Sequence, residues 1–299
     1  MYHHDKYVQT SANLWHYAGW VYDALALITL SVVLWIVSVV TQRAAFADVI
    51  RFGWTICLAA LLEARSPLLK RTSKQHLVWA IVGFWAARIT LSYVQRGGVR
   101  RDDWRYADLR DMVGKRVFAV LSLPMVFLGQ SVFVWLASLP MYRAMRVGTV
   151  QLPTPAFGGV LLSLVGIILE TWADEELDKQ RGKVAVVDSG PFAWCRHPNY
   201  FGELCFWFGF WLLAGAEVGP ALAGPVAMAV YIVFVNTPLM EERMRDSRGD
   251  KYADYCARVP SALVPIPRFM SRLLGGGNGG NGSGNGSGSG NGEAKPKAD

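Results

Sequence analysis

Apolar residues gather into long blocks along this chain, and polar or charged runs separate them. Ala24 to Val40 carries no charge, and neither does Val117 to Leu139 nor Val218 to Met240. The last two are long enough to cross a hydrocarbon core, which takes about 20 helical residues. The pattern predicts seven spans, at about 22–40, 48–64, 77–94, 117–139, 156–173, 200–216 and 219–236. The fold class expected is all-α, a polytopic transmembrane helix bundle of about seven helices. A soluble protein with buried core helices is the alternative, and the charge-free blocks argue against it.

The loops set an expected topology. Residues 96–116, 174–197 and 241–258 are long and charged, whereas the turn near 216–219 is short and carries no positive charge. Lys and Arg collect on the cytoplasmic side. That puts the charged loops and the C-terminus in the cytosol and, with seven spans, the N-terminus outside. Arg65, Lys70, Arg71 and Lys74 disagree, because they would then face outward. The start of the chain is polar and aromatic and lacks a signal-peptide pattern, so no cleavage is expected. Three regions follow: an N-terminal segment (1–20), a membrane domain (21–272) and a tail (273–299). From Gly275 to Gly292 the tail holds only Gly, Asn and Ser, so it can bury nothing.

Composition agrees with the blocks. The chain is 52% hydrophobic and only 18% charged, with a net charge of +7, greasier than an ordinary soluble domain. Cys57, Cys195, Cys205 and Cys256 form no CxxC pair and no zinc spacing, so neither a disulfide nor a metal is expected. The expected surroundings are a lipid bilayer, of the endoplasmic reticulum or of a bacterial inner membrane. No nucleic-acid partner is expected, and the oligomeric state stays open.

Polar groups at membrane depth are costly and therefore informative. In "ILETWADEELDKQR", Glu170 and Asp174 are four residues apart and share a helix face, with Arg181 further along it. Such a set suits a polyhydroxylated, phosphorylated ligand; a solvated helix end is the other reading. In "GPFAWCRHPNYFGEL", Pro198 suits the first turn of a helix that runs into the membrane. Arg196 and His197 then stand at an N-terminus that attracts phosphate. Asn199, Tyr200 and Glu203 follow, and Gly202 would let a flat ring approach. An interfacial anchor accounts for Trp194, Arg196 and Tyr200 but not for Asn199 or Glu203. Glu241 and Arg243 mark the exit of the last span. Glu63 ends the second span and Tyr93 the third, where a helix-end charge and an aromatic belt residue are equally in keeping.

"GKVAVVDSGPFAWCRHPNYFGE", then an apolar hairpin, "PLMEERM" and "YADYCARVPSALVPIP" together resemble the C-terminal domain of the steroid 5α-reductase family. The likeness is to its bacterial-type branch, the DUF1295 group with its RHPNYxGE signature. It extends upstream to "VRRDDWRYADLRD" and covers roughly residues 77–270. It implies a seven-helix membrane reductase that uses NADPH to reduce a C=C bond conjugated to a ketone in a steroid, sterol or other lipid. By this resemblance Glu170, Asp174, Arg181, Arg196, His197, Asn199, Tyr200, Glu203, Glu241, Arg243 and Tyr255 would bind the cofactor. Glu170 departs from the Asn that steroid reductases carry. Tyr93, in "YVQR", would meet the substrate ketone, with Glu63 as its partner. Negative charge grows on that oxygen, and a Tyr held by a Glu can donate to it.

The rival resemblance is to S-adenosylmethionine-dependent membrane methyltransferases such as isoprenylcysteine carboxyl methyltransferase. They share the Arg-His-Pro-x-Tyr part of the signature, but Asn199, Glu203 and the upstream elements favour the reductase. A lipid-binding protein without chemistry is the non-enzymatic alternative.

Overall fold

The computed structural model describes residues 2–64, 73–100, 102–145, 155–216 and 218–266; side chains of residues 2–18 and 73–74 are not described. Among the described residues the chain is helical and forms no strand. The loop bearing Arg65, Lys70 and Arg71, and the tail from 273, lie outside them. Twelve α-helices are described: α1 Tyr2–Thr41, α2 Asp48–Ala64, α3 Ser73–Gln95, α4 Trp104–Val113, α5 Lys115–Ser122, α6 Gly129–Ala137, α7 Leu139–Ala144, α8 Pro155–Gln180, α9 Pro198–Leu213, α10 Pro220–Tyr231, α11 Thr237–Arg248 and α12 Asp250–Arg258.

A helix lies at each of the seven predicted spans. Among the described residues, five helical stretches are long and apolar enough to cross a membrane: Gly19–Thr41, Gln75–Val113, Lys115–Ala144, Pro155–Gln180 and Pro220–Arg248. This makes the chain a multi-pass membrane protein. α2 and α9 are shorter, at 17 and 16 residues. α9 begins at Pro198 and ends before a turn at Gly215, whose φ of +113° only glycine adopts without strain. Apolar side chains such as Leu25, Ile36, Val120, Ile168 and Phe234 cover the outside of the bundle, as a lipid-facing surface requires.

Two irregularities shape the fourth and last spans. Leu123–Leu128, between α5 and α6, and Ile232–Asn236, between α10 and α11, wind as π-helix. Pro124 lies in the first of these and cannot continue an α-helical hydrogen bond.

α8 and α9 form the centre. Their backbones touch because glycine occupies the crossing: a Cβ on Gly166 would stand 2.4 Å from the carbonyl oxygen of Gly202, and one on Gly209 2.5 Å from the amide nitrogen of Ser163. Without a hydrophobic drive between helices in lipid, such small-residue seams supply close packing instead. Gly202 was expected to admit a flat ring. The backbone of α8 fills that place. α3 packs on α8 and α10 on α9, with α2 and α6 alongside. α1 is tied to the bundle by polar contacts: Tyr142 Oη donates to the buried Asp23 at 2.9 Å, and Trp35 Nε1 to the carbonyl of Ala119 at 2.9 Å.

Candidate functional site

Arg88 and Ser92 lie one turn apart on α3, and Arg96, the first residue past its end, continues the same face. That face meets Glu170 and Asp174 of α8. Arg88 Nη2 pairs with Glu170, and Arg88 Nη1 donates to Asp174 Oδ2 at 3.1 Å. Arg96 Nη2 lies 2.7 Å from the other oxygen of Asp174, and Ser92 Oγ donates to Oδ2 at 3.3 Å. Charges this deep in a bundle must be paired. The pairing leaves Arg88 Nε, Arg96 Nε and Glu170 Oε2 buried without a hydrogen-bond partner among the described residues. An orphaned buried polar atom costs about 1–3 kcal/mol, so several in one place mark a site built for something polar.

A second polar layer adjoins the first. Tyr106 Oη donates to Asp48 Oδ1 at 3.0 Å. Arg105 forks onto Asp103, with Nε and Nη2 at 2.8 and 3.1 Å, and its Nη1 donates at 3.2 Å to both Tyr231 Oη and Asn236 Oδ1. Asn236 closes the second π-helical segment, so this irregular turn carries a polar contact into the bundle. Arg51 of α2 stands in the field of Glu203 and Asp48, and its Nε has no partner among the described residues. Glu203 also stands in the field of Glu170 and of Tyr200, and thereby joins the layers. Asn199 and Glu203 project half-buried from the first two turns of α9, and the Asn199 amide makes no hydrogen bond among the described residues.

Arg51 and Arg88 were not read from the sequence as site residues. The signal was present for both. Arg51 and Arg88 lie inside predicted spans, where an ionisable side chain is by default a functional candidate.

Other expected cofactor ligands have protein partners. Arg196, expected to face phosphate, donates through Nε to Glu241 Oε1 at 2.7 Å, and through Nη1 to the carbonyls of Val259 and Pro260 at 2.8 and 2.7 Å. His197 Nε2 lies 2.9 Å from the same Glu241 oxygen, and its ring stacks on Tyr200 at 5.1 Å. The amides of Arg196 and His197 donate to Ser261 and Ala262. The stretch is a latch that holds the head of α9 against the segment after α12. Tyr255 Oη donates to the Phe192 carbonyl at 2.8 Å inside the same packing. Arg243 lies across the face of Trp104 at 4.2 Å and donates to Asp108 at 2.9 Å. Arg181 pairs with Asp178 one turn earlier, on the exposed end of α8, away from Glu170 and Asp174.

Tyr93 and Glu63 are not brought together. Tyr93 packs on Phe52 at 5.5 Å, near the start of α2, and donates to the Ala45 carbonyl at 2.8 Å. Glu63 lies at the far end of α2, eleven residues on from Phe52, about 16 Å at 1.5 Å per residue. α2 and α3 run as an antiparallel hairpin, so the two ends of the spans lie on opposite sides. Among the described residues no cluster of His, Cys, Asp and Glu is arranged to hold a metal.

A family model described as a protein of unknown function (DUF1295) matches residues 34–259. An uncharacterised protein of Schizosaccharomyces pombe is 26% identical over 223 residues, 64% of this chain and 61% of that protein. The protein-S-isoprenylcysteine O-methyltransferases of Mus musculus and Rattus norvegicus are each 37% identical over 84 residues, 26% of this chain and 27% of theirs. The chain thus spans about three fifths of the first relative and about a quarter of the others. No solved structure matches.

Proposed function

The chain belongs to the DUF1295 family, and on that premise we propose that it is an NADPH-dependent membrane reductase of a C=C bond conjugated to a ketone in a steroid, sterol or other lipid. The observation that carries the proposal is the set of orphaned buried atoms: Arg51 Nε, Arg88 Nε, Arg96 Nε and Glu170 Oε2, gathered where α2, α3, α8 and α9 meet. Donors and acceptors of both charge signs suit a dinucleotide, with its amide, hydroxyls and phosphates.

On this reading Asn199 and Glu203 hold the carboxamide end, since the Asn199 amide can donate to and accept from it and the Glu203 carboxylate accepts from its N–H groups. Glu170 and Asp174 are oriented by Arg88 and Arg96, and Arg51 and Arg105 fix Glu203 and the head of α4. The cofactor supplies the reducing equivalent when bound. The chain's part is to orient it and to keep water out of an apolar surround. Tyr93 Oη would turn its one O–H from the Ala45 carbonyl to the substrate oxygen as negative charge grows there.

A methyltransferase is the second reading, because the 84-residue likeness to the isoprenylcysteine enzymes points to it. Thermal melts of the detergent-purified chain separate the two, since a ligand that binds the folded state raises Tm. NADPH is expected to raise Tm saturably, more than NADH does. A rise with S-adenosylmethionine and none with NADPH would overturn the proposal in favour of the rival.

A further inference from the structure

A cleft at one end of the bundle has no part in the proposed reaction. It opens between the end of α1, the turn Ala44–Ala47 that follows it, the end of α4 and the start of α5. Its polar lining is Ser38, Gln42, Arg43, Arg110, Lys115 and Ser122, and no acid lines it. Of the three cations only Arg110 is paired, with Asp102, whose other oxygen accepts from the amide of Ala45 at 3.0 Å. Arg43 and Lys115 make no ion pair among the described residues, and both are exposed.

The backbone adds to this charge. Gly114 turns the chain at a φ of +81° between α4 and α5, and no side chain caps α5. The free N–H groups of its first turn therefore stand beside Lys115 with the positive end of the helix dipole. The cleft is small, about 20 Å³, room for one water-sized group. It would admit the oxygens at the tip of a ligand whose body stays outside.

Its position names that ligand. α1's apolar stretch ends at Thr41, and the stretch that enters the membrane again begins at Lys115. The cleft therefore lies level with the lipid headgroups, between two membrane-spanning segments. We infer that it is a site for the phosphate of an anionic phospholipid, held by Arg43, Lys115 and the first turn of α5. The buried Ser38 and Ser122 and the exposed Gln42 complete its polar lining. Phosphatidylcholine carries the same phosphate with a quaternary ammonium, which two unpaired cations repel.

The test uses the full chain in a neutral detergent and follows Tm against three additives: short-chain phosphatidylglycerol, short-chain phosphatidylcholine and inorganic phosphate. Phosphatidylglycerol is expected to raise Tm saturably and phosphatidylcholine to do so far less. Each cation near an anionic surface is worth about fivefold in affinity, so Lys115→Gln should weaken the lipid about fivefold and Arg43→Gln plus Lys115→Gln about thirtyfold. Both positions are exposed, so the variants keep their fold, and Arg43→Lys with Lys115→Arg should retain binding. Equal effects of the two lipids, or a double variant that binds phosphatidylglycerol undiminished, would overturn the inference. An equal response to millimolar inorganic phosphate would overturn the lipid as the source. NADPH protection should be unchanged in the double variant, which keeps this test apart from that of the proposed function.

Discussion

Arg196 Nε lies 2.7 Å from Glu241 Oε1, so the arginine of the RHPNYxGE signature is neutralised within the protein. The side chains are only 12% and 6% exposed. Without Arg196, Glu241 keeps His197 at 2.9 Å and Arg245 at 3.3 Å, while the carbonyls of Val259 and Pro260 lose their donor. Arg196→Ala is expected to cost about 1–3 kcal/mol. Arg196→Lys should recover little, because one ammonium cannot reach Glu241 and two carbonyls together. Thermal melts of the two variants check this. A variant that melts like the parent but no longer responds to NADPH would restore a direct role on the cofactor.

Arg88 is the expected weak point of the polar interior. It serves Glu170 and Asp174 together with its side chain 9% exposed, whereas Arg96 serves Asp174 alone at 39%. Arg88→Ala should cost about 3–5 kcal/mol and Arg96→Ala about 1 kcal/mol or less. Both should reduce NADPH protection. The order of the two melting temperatures is the measurement, and equal losses would show that Arg88 and Arg96 do not divide Glu170 and Asp174 between them as described.

The two predictions rest on residues of different legibility. The apolar blocks announced the helices, because hydropathy over 20 residues is a local property. The cluster at Glu170 and Asp174 was visible as two acids on one face. Their partner Arg88 lies 82 positions before Glu170 and was passed over within a span. Arg196 is the opposite case. A motif names residue types at the head of α9, but it does not say that the chain after α12 returns there to accept their hydrogen bonds. Long-range partners decide whether a charged side chain meets a ligand or the protein itself, and a local pattern does not contain them.

The α8–α9 seam separates two glycines of one helix. At Gly166 an added Cβ meets backbone at 2.4 Å, which no rotamer change relieves, whereas at Gly158 it meets nothing within 4 Å. Gly166→Ala is therefore expected to lower Tm sharply. Gly158→Ala should leave it unchanged or raise stability by about 0.5–1 kcal/mol, the gain of alanine in a helix interior. Equal melting of the two variants would mean that the helices do not cross as closely as described.

Cys195 sits in the latch beside Arg196, and burial pushes its thiol up to about 12. At pH 8 roughly one thiol in 10⁴ would be ionised, and the thiolate is the reactive form. Cys195 should therefore resist a water-soluble maleimide in the folded chain and react once the latch opens in denaturant. Peptide mapping after timed labelling identifies the site. Rapid labelling of Cys195 under native conditions would show that the segment after α12 does not stay closed.

Tyr93 and Glu63 give the sharpest test of the proposed chemistry. Tyr93 lies at the end of the α2–α3 hairpin where Phe52 and Ala45 stand, and Glu63 lies at the other. Phe52, on which Tyr93 packs, is separated from Glu63 by eleven residues of α2, a rise of about 16 Å, so the carboxylate is not placed to hold the donor. Glu63→Gln is therefore expected to leave turnover of an enone lipid within about twofold. Tyr93→Phe should lower it by about a hundredfold or more, the usual worth of a positioned donor. Loss of the bond to Ala45 also costs about 1 kcal/mol of stability, so both rates are read well below each variant's Tm. Equal, large losses in the two variants would show that Glu63 reaches the site by another route, and no loss in Tyr93→Phe would remove it from the reaction.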